Sequence, residues 1–322
     1  MSLTAIPAPI RDSRQRLAAH MSLFRLDHSV KQIFVIPGIV IAASLTGQAA
    51  SFELLSRIVL GLLAISAVAS SNYVLNELLD ASFDRQHPTK CLRPAALGIV
   101  NVPLGYAQWL LSGLLGFVMA WQVSKPLFYC ALGLWVMGCL YNVEPIRMKD
   151  VAYLDVLAES VNNPIRLLAG WYIVTTTVLP PVSLVIAYWM LGGYFMALKR
   201  FSEYRQMGSR AAILYRRSFV LYTERALLTA VLFYASTAML FFGAFIMRYR
   251  MEMVLVFPMI AALMAVYFDL AFSQDSPVQN PEKLYKEPRV MGLVAACSVG
   301  LVVTSFVHLP WLAQLFAKSS VR

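Results

Sequence analysis

The side chains best placed to do chemistry follow a long apolar run that extends from Ile58 to Val74. Asn76, Asp80 and Asp84 come directly after it at i, i+4 and i+8. On a helix this spacing places three oxygen-bearing side chains along one face, over roughly 12 Å. Carboxylates are preferred ligands of Mg²⁺, which one or two of them commonly hold while substrate phosphates complete its coordination. The pattern predicts a catalytic magnesium site formed by these three residues.

A basic stretch follows the acids. Arg85, Lys90 and Arg93 are candidates for binding phosphate oxygens, since arginine donates paired hydrogen bonds and lysine acts as a single charge. Pro88 and Pro94 lie on either side of the last two bases and restrict the loop. The alternative interpretation is a solvated helix cap with membrane-flanking charge. The shared face of the three oxygen-bearing side chains favours a binding site.

The same stretch resembles the first aspartate-rich motif of the UbiA superfamily of intramembrane prenyltransferases, with Glu77 in place of the usual first aspartate. Its continuation from Asp84 to Pro94 reads Asp-Arg-x-His-Pro-Thr-Lys-x-x-Arg-Pro. This is similar to the branch that includes decaprenyl-phosphate phosphoribosyltransferases, which attach ribose phosphate to a polyprenyl phosphate. The resemblance covers residues 25–310. It implies that Glu77 contributes to substrate binding, and the longer side chain leaves the identity of the donor open.

The composition is that of an integral membrane protein. Hydrophobic residues make up 59% of the 322 residues and charged residues only 14%, which excludes an ordinary soluble domain. A spanning helix needs about 20 largely apolar residues, and we predict an all-α protein with about nine transmembrane helices around a central cavity open to the cytoplasmic side. The predicted spans are 30–48, 57–80, 102–122, 126–141, 154–175, 181–199, 226–247, 252–272 and 290–310.

The distribution of charge predicts the topology. The net charge is +10, and most Lys and Arg residues fall on one side of the membrane if the N-terminus is cytoplasmic and the C-terminus outside. This pattern favours a multi-pass protein of a bacterial inner membrane over a nucleic-acid-binding protein. Residues 1–24 are predicted to be an N-terminal cytoplasmic segment, and residues 25–322 a UbiA-like transmembrane transferase domain. Three of the four cysteines lie in apolar runs and are predicted to be small core residues.

The fifth predicted span carries a polar stripe. Asp155, Glu159, Asn162 and Arg166 recur at helical spacing in an otherwise apolar segment. Because polar groups that faced lipid would be penalised heavily, the stripe is expected to face the bundle interior or a water-filled cavity. Two interpretations stay open. The stripe is either an internal charge network between helices or the lining of the active cavity, in which Asn162 and Arg166 would bind substrate.

Further candidates for phosphate or sugar contacts lie at the predicted cytoplasmic ends of spans one, four and six. The alternatives are snorkelling at the membrane edge for the first and ordinary positive-inside charge for the second. The Lys-Arg-x-x-Glu pattern at the end of span six resembles that of the phosphoribosyltransferase branch. The candidates are Lys31, Tyr141, Arg147, Lys149, Lys199, Arg200 and Glu203.

A second aspartate-rich motif, which quinone-type members of the superfamily carry after span six, is missing. Between Lys199 and Arg225 the chain has no Asp and only two Glu among seven bases. In the resembled family the second motif binds a prenyl diphosphate through Mg²⁺ together with the first. A lipid phosphate could instead be held directly by Lys199, Arg200, Arg216 or Arg217. A contact of this loop with anionic lipids is the alternative.

These observations predict a Mg²⁺-dependent membrane transferase. It would move a phosphoribosyl group from phosphoribosyl diphosphate to a polyprenyl phosphate and release pyrophosphate. One alternative is a prenyltransferase that joins a prenyl diphosphate to an aromatic or other small acceptor, and the missing motif counts against it. A second is a non-catalytic binder of lipid phosphate. The predicted partners are a polyprenyl lipid and a diphosphate donor.

Overall fold

The fold is built of helices. The computed structural model describes residues 13–85, 90–208, 212, 216–274, 276–279 and 281–316, and these residues contain no strand. Short 3₁₀ helices, among them Leu26–Val35, Lys90–Leu92 and Met148–Asp150, connect the α-helices. The α-helices are α1 (Ser13–Ser22), α2 (Ile36–Thr46), α3 (Phe52–Asp84), α4 (Val102–Val123), α5 (Lys125–Asn142), α6 (Leu154–Ser160), α7 (Asn162–Val174), α8 (Val182–Met207), α9 (Glu224–Tyr249), α10 (Phe257–Leu270), α11 (Pro288–Phe306) and α12 (Pro310–Leu315).

Helix α3 carries the acidic face to the edge of the membrane. It begins at Ser51, whose side chain caps the helix by accepting a hydrogen bond from the Leu54 amide at 3.1 Å. Its 33 residues extend over about 50 Å at 1.5 Å per residue, whereas the hydrocarbon core of a bilayer is about 30 Å thick. The last turns of α3 therefore extend beyond the apolar layer, where charged groups are less costly.

Five helices are long and apolar enough to cross a membrane: α3, α4, α8, α9 and α11. Shorter apolar helices are found at 31–46 and 257–270. The predicted fifth span divides into α6 and α7 because Pro164 has no amide hydrogen to donate to the Ser160 carbonyl. The all-helical membrane fold is confirmed, whereas the count of nine spans and the cavity open to the cytoplasm stay predictions.

Helices α2 and α7 cross at very close range. A Cβ at Gly38 would collide with the Leu167 carbonyl oxygen, and one at Gly170 would collide with the Val35 carbonyl oxygen. Small residues permit this approach of two backbones, as they do between many membrane helices. The crossing places the 3₁₀ helix that precedes α2 directly beside the first turns of α7.

The N-terminal segment packs against the body of the protein. In α1 the buried His20 contacts Gln108 of α4 at 2.7 Å, and the Asn101 amide donates to the other ring nitrogen of His20 at 3.2 Å. Leu23 is fully buried in a small core with Val74. Residues 1–12 of the predicted 1–24 segment lie outside the described residues. The proposed division into a segment and a domain stays a prediction.

Candidate active site

The three predicted metal ligands lie together at the end of α3. The Asn76 amide nitrogen donates to Asp80 Oδ2 at 3.1 Å and to Asn142 Oδ1 at 2.5 Å. Asp80 Oδ1 accepts hydrogen bonds from Arg147 at 3.0 Å and from Lys149 at 2.5 Å. The helical periodicity of α3 and the loop after α5 thus build one cluster of charges around Asp80.

Asp84 lies one turn further along α3 and is paired with the loop that follows. Its Oδ2 atom accepts from Arg93 at 2.5 Å. Lys90 belongs to the same loop, and burial lowers the pKa of its ammonium group to about 8, an effect that Arg93 and Arg216 strengthen and Glu203 opposes. Lys90 and Arg93 of the loop after α3 and Glu203 of α8 therefore lie close enough to affect one another electrostatically.

Two other bases of the predicted site have different surroundings. Arg85 donates from Nε to the Ala96 carbonyl oxygen at 3.0 Å, so this nitrogen holds the loop. Lys149 is buried, and burial lowers its pKa to about 8, whereas Asp80 raises it. The Lys149 ammonium group, together with Arg147, supplies positive charge beside the Asp80 carboxylate.

A second buried charge cluster surrounds Arg200 of α8. Its guanidinium group donates to three carboxylates, those of Asp155, Glu159 and Glu203, each at 2.9 Å. Only 2% of the Arg200 side chain is exposed, and none of the Asp155 side chain. The three acids neutralise Arg200, so its position favours a structural role over the predicted contact with substrate.

Tyrosines and a further arginine extend the Arg200 cluster. The Tyr141 hydroxyl donates to Glu159 at 3.1 Å and accepts from Arg216 at 2.9 Å. The Tyr222 hydroxyl donates to Asp155 at 2.6 Å and accepts from the Tyr153 amide at 2.6 Å. These bonds tie α5, α6 and the loop between α8 and α9 to the cluster.

Lys199 and Lys31 complete the basic lining. Lys199 forms no hydrogen bond or ion pair with the described part of the chain. Lys31 lies over the Tyr73 ring of α3, 5.5 Å from its centroid, and close enough to Glu159 to attract its carboxylate. Both ammonium groups therefore lie within electrostatic range of Glu159, and neither forms a hydrogen bond or ion pair within the described part of the chain.

Asn162 and Arg166 lie on one face of α7, as the polar stripe predicts. Asn162 donates to the Glu159 carbonyl oxygen at 3.1 Å. Arg166 is 7% exposed. The stripe faces the interior of the bundle, and only its first two members, Asp155 and Glu159, belong to the charge network around Arg200.

Glu77 contacts different partners from the neighbouring acids. It is 3% exposed, and its carboxylate lies 3.8 Å from Arg25 and 3.5 Å from the Ala95 amide. Burial lowers the pKa of Arg25, Arg93 lowers it further, and Glu77 raises it. Glu77 thus links Arg25, which follows the N-terminal segment, to the loop that carries Arg93 and Ala95. We propose that Glu77 positions this loop.

Glu77→Asp tests this role. Removing one methylene withdraws the carboxylate from Arg25 and Ala95, so we expect the free energy of unfolding to fall by about 1–3 kcal/mol and the KM for the donor to rise. The Mg²⁺ concentration for half-maximal activity should not change. Glu53→Asp, at the exposed opposite end of α3, is the matched control for both measurements. A shift of the Mg²⁺ requirement in Glu77→Asp alone would identify Glu77 as a metal ligand.

Two partners of the predicted site residues were not predicted from the sequence: Arg25, which lies beside Glu77, and Asn142, which is hydrogen-bonded to Asn76. Asn142 lies 66 residues from Asn76 in the chain, so no local pattern connects the two side chains. The only local signal was the position of Asn142 next to Tyr141 at the end of an apolar run. The sequence suggested Arg216 and Arg217 alike as ligands of a lipid phosphate, and the structure shows that Arg216 donates to the Tyr141 hydroxyl.

The donor set fits a magnesium ion that is bound together with a substrate. Among the described residues no group of three His, Cys, Asp or Glu side chains is arranged to hold a metal ion. Two carboxylates and an amide oxygen on one helix face are the hard oxygen ligands that Mg²⁺ prefers, and substrate phosphates and water commonly supply the others. Asp80 and Asp84 fit this arrangement.

The helical fold and its long apolar helices define a multi-pass membrane protein. Residues 33–292 match the family model of the UbiA prenyltransferase family, and the chain belongs to this family. It is a multi-pass membrane enzyme of the UbiA type. The superfamily predicted from the motif is confirmed.

Two relatives show where the sequence similarity lies. A decaprenyl-phosphate phosphoribosyltransferase of Mycobacterium tuberculosis is 29% identical over 173 residues, 53% of this chain and 55% of that protein. A protoheme IX farnesyltransferase of Klebsiella pneumoniae is 25% identical over 148 residues, 45% of this chain and 50% of that protein. The chain spans about half the length of the curated relatives it matches.

The fold is similar to that of a solved relative. A UbiA homologue from Archaeoglobus fulgidus, whose structure was solved with GPP and Mg²⁺, superimposes with a TM-score of 0.68 at 19% identity. The match covers 89% of this chain and 98% of that protein. The similarity shows the fold.

Proposed function

We propose that this protein transfers a phosphoribosyl group from phosphoribosyl diphosphate to a polyprenyl phosphate and releases pyrophosphate. The observation that carries the proposal is an asymmetry of charge. Helix α3 carries two aspartates on one face, Asp80 and Asp84, which pair with bases of neighbouring loops. Helix α8 has no aspartate, and its Glu203, like Glu159 of α6, is paired with Arg200. A site with one acidic face and one basic face suits one metal-bound diphosphate and one directly bound phosphate.

Asp80 and Asp84, with Asn76, would hold Mg²⁺ against the donor diphosphate. When bound, the ion neutralises charge on the leaving group. Lys90 and Arg93 would bind the phosphate oxygens of the donor, and Arg93 also donates a hydrogen bond to Asp84. Electrostatic groups arranged in advance in this way lower the barrier without having to reorganise during the reaction.

The acceptor phosphate would bind to the basic side of the site. Besides Arg200, the cations that act on Glu159 are Lys199, Lys31 and Arg216, and Arg216 also donates to the Tyr141 hydroxyl. An oxygen of the lipid phosphate forms a bond to the anomeric carbon of the ribose while the bond from this carbon to the diphosphate breaks. Because the lipid phosphate is already ionised, no general base is required. Positive charge on the ribose is transient, as in other glycosyl transfers.

A prenyltransferase acting on an aromatic or other small acceptor is the second candidate. Its support is the similarity to the farnesyltransferase of Klebsiella pneumoniae. A prenyl diphosphate held between two acidic faces would need a second metal site, and the acids of α6 and α8 are engaged by Arg200. This observation favours the phosphoribosyl transfer. We further propose a bacterial inner membrane as the location, with the N-terminus cytoplasmic and the C-terminus outside.

The purified protein in detergent tests the proposal. It is incubated with radiolabelled polyprenyl phosphate, Mg²⁺ and phosphoribosyl diphosphate, and the lipid is followed by thin-layer chromatography. We expect a new, more polar lipid that requires Mg²⁺ and the donor. An unchanged lipid, together with consumption of a prenyl diphosphate when an aromatic acceptor is supplied, would replace this function with prenyl transfer.

A further inference from the structure

Three buried polar atoms near the crossing of α2 and α7 have no hydrogen-bond partner. They are Gln32 Oε1, Asn162 Oδ1 and Arg166 Nε. Gln32 is 8% exposed and Arg166 7%. The Arg166 guanidinium group also forms no ion pair or hydrogen bond within the described parts of the chain. An unpaired charge and unpaired carbonyls inside a membrane protein are costly, and intramembrane ionisable groups are usually functional.

The three atoms belong to one region. Asn162 and Arg166 are one helical turn apart on α7, and Arg166 is one turn before Gly170, which packs on Val35. Gln32 lies one turn before Val35 in the adjoining 3₁₀ helix. Tyr188 bridges both sides, since its hydroxyl donates to the Phe34 carbonyl oxygen at 3.1 Å and it lies within electrostatic range of Arg166.

The region borders the phosphate-binding cations. Asn162 is bonded to the Glu159 carbonyl oxygen, and the Glu159 carboxylate interacts with Arg200 and Lys31. Lys31 precedes Gln32 in the chain and lies over Tyr73, one turn before Glu77 on α3. If the phosphates of a ligand bind to Lys31 and the neighbouring cations, the part of the ligand that adjoins these phosphates lies beside Gln32 and Asn162.

The types of the unpaired atoms indicate what this group is. The two amide carbonyls accept hydrogen bonds and need donors, whereas Arg166 donates and needs an acceptor. A diphosphate offers acceptors alone, and a prenyl chain offers neither. A sugar ring offers hydroxyls, which donate and accept at once. Of these three groups, the sugar ring alone satisfies all three atoms.

We propose that Gln32, Asn162 and Arg166 form the subsite for the ribosyl hydroxyls of the donor. This assignment rests on the proposed phosphoribosyl transfer. Gln32 and Asn162 accept hydrogen bonds from the hydroxyls, and Arg166 donates to a ring or hydroxyl oxygen. Binding satisfies the buried polar atoms that are unpaired without ligand, and the site thereby selects a sugar over an apolar group.

Other unpaired buried atoms provide a contrast. Asn72 Oδ1 also lacks a partner, but Asn72 is packed so tightly against Gly138 that a Cβ there would collide with its amide group. No ligand fits between them. Arg250 Nε is unpaired, yet the same guanidinium group donates to the Ser44 carbonyl oxygen at 2.5 Å. Asn72 is therefore a matched control, with the same chemistry and no room for a sugar.

The test combines apolar substitutions with two binding probes. Ribose 5-phosphate represents the sugar half of the donor, and inorganic pyrophosphate represents the diphosphate half. Replacing an unpaired buried polar group by an apolar one of similar shape is neutral or stabilising. We therefore expect Arg166→Met, Asn162→Leu and Gln32→Leu to keep or raise the Tm in detergent. Ribose 5-phosphate should bind about ten-fold more weakly to the first and about three- to ten-fold more weakly to the other two. Affinity for inorganic pyrophosphate with Mg²⁺ should stay within about two-fold, and Asn72→Leu should change neither affinity.

The contrary results are distinct. Variants that bind ribose 5-phosphate like the wild type, while the wild type transfers phosphoribosyl groups, overturn the sugar subsite and leave the proposed function in place. A lowered Tm with unchanged affinity for ribose 5-phosphate also overturns it, because the residues would then be structural. A wild-type protein that binds pyrophosphate but neither binds ribose 5-phosphate nor uses phosphoribosyl diphosphate overturns the proposed function, and the subsite with it.

Discussion

Asp80→Asn is expected to reduce kcat by at least about 100-fold, the loss that follows removal of one preorganised electrostatic group in many active sites. The substitution keeps the shape of the side chain and removes its charge. Without that charge the site holds Mg²⁺ and the leaving diphosphate less well. Activity is measured by lipid chromatography over a range of Mg²⁺ concentrations, and the residual activity should require more Mg²⁺ than the wild type does.

The same substitution also removes the partner of Arg147 and Lys149, so stability must be measured beside activity. Asp269→Asn, which makes the identical chemical change on an exposed position of α10, is the control and should keep full activity. An Asp80→Asn protein that retains activity within about three-fold of the wild type and an unchanged Mg²⁺ requirement would contradict the assignment of Asp80 to the metal site, because a lost ligand costs far more.

Arg200→Met is expected to have the largest effect on stability. The substitution leaves Asp155, Glu159 and Glu203 without their common partner. Removing one member of a buried ion pair typically costs about 3–5 kcal/mol, because the remaining charge is left uncompensated. We expect a marked fall in the Tm in detergent, and Arg200→Lys should only partly restore it, since an ammonium group cannot reproduce the planar guanidinium fork.

Lys199→Met is the matched comparison for Arg200→Met. Lys199 is the preceding residue on the same helix and has no ion pair within the described segments. Its replacement should leave the Tm close to that of the wild type and raise the KM for the polyprenyl phosphate. If Arg200→Met kept its Tm and instead lost affinity for the lipid, Arg200 would be a substrate ligand, as the Lys-Arg-x-x-Glu pattern predicts.

The relation between Arg200 and Lys199 shows a limit of sequence interpretation. Both are bases at the end of one apolar run, and the sequence predicts the same phosphate-binding role for them. The structure pairs Arg200 with Asp155, which is 45 residues away, and leaves Lys199 without an ion pair in the described part of the chain. Which base is neutralised depends on the packing of α6 against α8, and no local pattern records that contact.

The sequence by itself determined the class of the protein and the acidic face of α3. An apolar composition identifies a membrane protein without any knowledge of the fold. Helical periodicity is a local property, so Asn76, Asp80 and Asp84 share one face of α3 whatever packs around that helix. Their motif also identified the family.

Only the tertiary structure decided which charges compensate one another. Arg147 contacts Asp80 across 67 residues of chain, and Glu77 lies beside Arg25, the residue that follows the N-terminal segment. It also decided which polar groups stay unpaired, as Arg166 does. The physical reason is that the cost of burying a charge depends on the groups that surround it after folding, and these groups come from distant parts of the sequence.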